Sequence, residues 1–127
     1  MRAVTGMYWL AVAMGGAVGA MGRAGIAATL TTAGGFPWQT FAANTIGSLA
    51  IGVVWAALVK AEAPPLWGAF LITGVLGGFT TFSAFSLETV QLFEQGAWQT
   101  ALGYVALSVL SCVLGAALGV WVVKALG

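Results

Sequence analysis

A chain of 127 residues that is 61% hydrophobic and only 6% charged cannot build a water-facing surface, since an ordinary soluble domain carries about 25% charged residues. Its net charge of +1 gives a nucleic acid or an acidic partner nothing to hold, and a mean hydropathy of +1.02 points to lipid as the solvent of a single domain. One cysteine, Cys112, rules out an intramolecular disulfide framework, and the lack of histidine removes imidazole from catalysis and metal ligation.

Crossing roughly 30 Å of hydrocarbon takes about 20 mostly apolar residues. Four stretches of residues 1–127 qualify: from about Met7 to Ala28, Trp38 to Val59, Pro65 to Phe93 and Trp98 to Val123. The first contains Gly15, Gly16 and Gly19, and late in it stands Arg23. That cation interrupts the apolar run and three more spans follow, which argues against a cleaved signal peptide. Its long stem could snorkel to the headgroups, or its charge could attract an anion. Gly34, Gly35 and Pro37 punctuate the first connection. In the second span Asn44 has a side chain too short to snorkel, so its amide donors need a partner or a ligand.

Pro64 and Pro65 stand where the third span begins. Midway along it, Gly74-Val75-Leu76-Gly77-Gly78-Phe79-Thr80-Thr81-Phe82-Ser83-Ala84-Phe85-Ser86 pairs glycines with threonines and predicts a broken helix. Backbone leaves helical geometry at membrane depth only where protein or a polar cavity satisfies it, and such breaks present carbonyls and half-helix ends to ions. The segment is therefore a candidate ion site. Phe79, Phe82 and Phe85 recur every three residues and predict a ring stripe on one helical face after the break. A stripe of that kind packs helices, or it offers its positive edges to a small anion. Glu88 lies farther along, where it either touches a path or caps a helix turn. Gln95 and Gly96 mark the third connection, and the fourth span carries Gly115 and Gly119. With the glycines of the first span these give small-xxx-small spacing, which suits close packing within the chain or between subunits. Trp9, Trp38, Trp67, Trp98 and Trp121 fall near span ends, as an interfacial belt requires.

Four helices enclose a polar path poorly, so a homo-oligomer is expected. Arg2, Lys60 and Lys124 share one side against Arg23 on the other, a slight bias that permits both insertions and hence an antiparallel pair.

Three successive motifs make the chain resemble the Fluc (CrcB) family of small dual-topology fluoride channels. They are Gly15-Gly16-Ala17-Val18-Gly19-Ala20 with Arg23, then Asn44 with Gly47-Ser48 and Gly52, then Gly77-Gly78-Phe79-Thr80-Thr81-Phe82-Ser83. The resemblance covers all four spans. It implies an all-α membrane protein of four transmembrane helices with the third broken near its middle, assembled as an antiparallel homodimer in the cell's inner membrane. It also implies passive export of fluoride that entered as the neutral acid, through two pathways, with a structural sodium ion at the dimer centre. By position, Phe82 and Phe85 become the pore-lining rings, Asn44 a fluoride donor and Arg23 a vestibule cation. Ser83, Tyr104 and Ser108 join the pathway, with Thr81, Glu88 and Cys112 as further candidates. Gly77 and Thr80 would turn backbone carbonyls toward the sodium. Ala84 stands where the family often has Thr, and the Cys112 thiol, a weak donor, stands where a hydroxyl is expected. The alternative is a small multidrug-type proton-coupled exporter. That chemistry needs a carboxylate deep in the first span, where this chain has Arg23. A non-transporting scaffold would leave the clustered Thr, Phe and Asn without a role.

Overall fold

The computed structural model describes residues 5–30 and 33–127; Arg2, part of the cation bias, lies outside the described residues. Helix α1 spans Gly6–Thr29 and α2 spans Trp38–Lys60. The third span, Pro65–Glu94, is built in pieces. It opens with α3 (Pro65–Gly68), whose first residue is a proline that has no helical N–H to lose. It then widens into a π-helical stretch, Ala69–Leu76, before a short α4 (Gly77–Phe79) and a longer α5 (Phe82–Glu94). Helix α6 covers Trp98–Ala125. All four spans are long and apolar enough to cross a membrane.

The break lies at Thr80 and Thr81, both in extended conformation with ψ of 154° and 109°. Its effect on packing is large. Before it, the π-helical stretch and α4 lie against α1; beyond it, α5 turns to α6, which otherwise packs along α2. Glycine makes the first contact close enough. A Cβ at Gly19 would overlap the carbonyl oxygen of Val75, and one at Gly119 would overlap that of Leu49 on α2. The small-residue spacing of the first and fourth spans thus serves packing within the chain.

The C-terminus of α5 closes on Gly96 at φ 77°, where Ala97 N–H donates to Leu92 O at 2.9 Å and Gly96 N–H to Phe93 O at 3.0 Å. That paired bonding is a Schellman cap, and it reverses the chain into α6 within three residues. The buried core gathers at this end of the bundle, where Phe85, Leu92, Ala101 and Tyr104 meet Phe36 and Phe41. Elsewhere large apolar side chains face outward along every span, and the five tryptophans near span ends are exposed, as lipid contact demands.

Candidate functional site

The break is held open by one side chain. Asn44 Nδ2 donates to Thr81 O at 3.0 Å, and Thr81 N–H donates to Asn44 Oδ1 at 2.7 Å. Thr81 also caps α5: its Oγ1 accepts from Ala84 N–H at 3.1 Å and shares a hydrogen bond with Ser83 Oγ at 3.3 Å. These bonds divert two specific donors. In an unbroken helix Thr81 N–H would serve Gly77 O and Ala84 N–H would serve Thr80 O. Both carbonyls are released from the helical ladder, and both residues line the same cavity. Glycine at position 47 makes room for this geometry, since a Cβ there would overlap Thr80 Cγ2 and press on the Phe79 ring.

Arg23 reaches back to the break. Its Nε donates to Gly78 O at 3.3 Å, serving a carbonyl whose helical donor would be Phe82 N–H.

The cavity has a volume of about 390 Å³ and opens on one side of the chain. Asn44, Gly77, Thr80, Thr81, Phe82, Phe85, Ser108 and Cys112 all line it, together with apolar groups such as Ile51 and Val109. Phe82 is 78% exposed in the isolated chain and Phe85 only 8%, their ring centroids 5.4 Å apart. Phe79 departs from the expected stripe. The break falls after it, so it ends α4 and its ring contacts Gly22 and Gly47, while Phe82 and Phe85 alone share a face of α5. Ser108 is 6% exposed with no hydrogen-bond partner for its Oγ among the described residues, and Cys112 follows one turn later on α6.

Tyr104, Glu88 and Ser83 lie outside that lining. Tyr104 is fully buried, and its hydroxyl donates to Glu88 Oε2 at 2.6 Å. Thr40 Oγ1 donates to Glu88 Oε1, also at 2.6 Å, so each carboxylate oxygen has its own hydroxyl. Glu88 therefore serves neither as a helix cap nor as an unpartnered intramembrane charge. Ser83 is exposed beside Thr81. Thr40 is the residue that sequence reasoning missed. Its signal was available: it stands one helical turn before Asn44, four residues away on the same face of α2.

A family model described as CrcB-like protein, Camphor Resistance (CrcB), matches residues 10–120. The chain belongs to the CrcB family. Three CrcB relatives, each named fluoride-specific ion channel FluC, are similar to at least four fifths of the chain. The one from Roseobacter denitrificans is 51% identical over 120 residues, 89% of this chain and 92% of its own. Those from Paracoccus denitrificans and Saccharophagus degradans are 49% and 42% identical, over 80% and 82% of this chain and 82% and 80% of theirs. The CrcB match takes in every residue that lines the cavity, together with Arg23, Thr40, Glu88 and Tyr104.

Proposed function

We propose that the chain is one subunit of a fluoride-selective channel that exports fluoride passively across the cell's inner membrane and so relieves its toxicity. The carrying observation is the cavity at the break, where uncharged donors and aromatic rings meet midway along an apolar span. Fluoride gives up strongly bound water only to close compensating contacts, and that lining supplies them without a full charge that would trap the ion. Asn44 has one N–H committed to Thr81 and a second left to offer. The names of the CrcB relatives support the same substrate.

An antiparallel homodimer completes the site. Phe82 and Gly77 are exposed in the middle of a span, where lipid cannot satisfy the freed backbone groups and a second copy can. Among the described residues Lys60 and Lys124 stand at one end of the bundle and Arg23 toward the other, a balance that suits both insertions. The released carbonyls of Gly77 and Thr80 suit a hard monovalent cation, and two chains together would offer four such oxygens to a structural sodium ion. Exchanging sodium for N-methyl-D-glucamine is then expected to lower the thermal stability of the dimer, because an ion that binds only the assembled form stabilises it by mass action. Equal stability in both salts after long equilibration would remove sodium from the account.

Passive conduction has an electrical signature that coupled export lacks. Fluoride efflux from potassium-loaded liposomes should stall within the charging time of the membrane and resume when valinomycin lets potassium follow. Efflux that a proton gradient drives without valinomycin would favour the exporter.

A further inference from the structure

The residues just ahead of α2, from Gly34 to Pro37, turn inward for a reason the break does not supply. Gly34 and Gly35 take φ of 70° and 78°, the left-handed region that favours glycine. Pro37 follows at φ −77° and ψ 71°, buried, with Trp38 N–H donating to Phe36 O at 2.9 Å. That is an inverse γ-turn, and with the two glycines it points Phe36 into the end of the bundle.

There the Phe36 centroid lies 4.4 Å from that of Trp38, 5.5 Å from Phe41 and 5.3 Å from Tyr104, the last at 79°. The Tyr104 ring lies 5.1 Å from Phe85, and Phe85 lies 5.4 Å from Phe82 in the cavity. An unbroken line of rings thus runs from the residues ahead of α2 to the middle of the third span.

Tyr104 is the member with an alternative. It stands near the Trp98 end of α6, and a tyrosine so placed gains by tilting its hydroxyl to the interface. Phe36 packs against it there, edge to face, the arrangement that aromatic pairs favour. We infer that Phe36 is a positioning residue of the pathway, a wedge that keeps the Tyr104 hydroxyl on Glu88 and its ring behind Phe85. This rests on the proposed fluoride conduction for its functional half only.

The test reads geometry and transport separately. Tyr8 and Tyr104 are the only tyrosines, so in a Tyr8→Phe background the infrared C–O stretch of isotope-labelled tyrosine reports Tyr104 alone. Phe36→Leu is expected to move that band toward the frequency of water-bonded tyrosine. In liposomes the same substitution is expected to slow fluoride efflux by about two- to tenfold, the span that one edge-to-face contact covers. Phe36→Tyr, which keeps a ring, should restore most of the rate. If Phe36→Leu does not assemble, Phe36→Met carries both readouts. An unmoved band overturns the wedge, whatever the rate does. A moved band with an unchanged rate, or a Phe36→Tyr variant as slow as Phe36→Leu, overturns the role in the pathway. Should the parent protein conduct no fluoride, the functional reading fails while the band still decides the geometry.

Discussion

Phe82→Ile and Phe85→Ile should each cut fluoride efflux by about tenfold or more while the protein still assembles. Isoleucine fills much of the volume of a phenylalanine but has no positive ring edge, and an edge contact of about 1.4 kcal/mol corresponds to a tenfold change. The two positions differ in a way that sharpens the expectation. Phe82 stands out into the open cavity, so its replacement removes a contact with whatever passes and disturbs little else. Phe85 also backs the Tyr104 ring, and its replacement should lower stability as well, by about 1 kcal/mol, since isoleucine keeps most of the volume but not the ring contact. Efflux rates with size-exclusion profiles on the same preparations check both parts. Two variants that elute and conduct like the parent would reduce the pair to helix packing.

The second large effect is expected at Asn44. Aspartate there keeps an acceptor for Thr81 N–H but turns a carboxylate toward Thr81 O, where the amide had a donor. It also places a charge in the membrane, at a cost of about 2.5–3.5 kcal/mol on insertion scales, and that charge repels an anion. Asn44→Asp should therefore abolish fluoride efflux. Serine retains one donor, which from the sequence alone makes it the milder change. The geometry narrows that difference, since a single hydroxyl cannot span Thr81 N–H and Thr81 O together, and an unsatisfied buried group costs about 1–3 kcal/mol. Asn44→Ser should also lose thermal stability and most of its transport. Parent-like melting and efflux in the serine variant would show that the break holds without the pincer.

These two sites show why some of the molecule was legible and some was not. The break itself could be read, because paired Gly and paired Thr in an apolar span leave the backbone few other uses. Its position within the run could not, and Phe79 was grouped with Phe82 and Phe85 by spacing alone. Spacing by threes carries meaning only inside one continuous helix, and Thr80 and Thr81 interrupt it. The π-helical stretch Ala69–Leu76 leaves no trace in a run of apolar residues, where every face is equally greasy and no period can stand out. Asn44 was recognisable as a polar group needing partners, yet which partners depends on a contact 37 residues away. In the sequence Thr40 and Phe36 are an isolated hydroxyl and an isolated ring near a span end, which is ordinary, and only the fold brings Glu88 and Tyr104 to them.

Arg23 shows the same limit from the other side. Sequence alone left it between the headgroups and an anion, and the structure gives it Gly78 O, a carbonyl the break would otherwise leave without its helical donor. The constellation around the cavity is accordingly one arrangement, in which Asn44, Arg23 and the Thr81 cap each take over a bond that an unbroken helix would have made for itself.

The most direct test of that arrangement's purpose is to reconstitute the unsubstituted protein in liposomes and compare fluoride and chloride efflux, with valinomycin present, under matched gradients. The uncharged donors and aromatic rings that line the cavity at the break predict rapid fluoride loss with chloride retained on the same timescale. Equal rates for the two ions, or fluoride loss no faster than from protein-free liposomes, would contradict it.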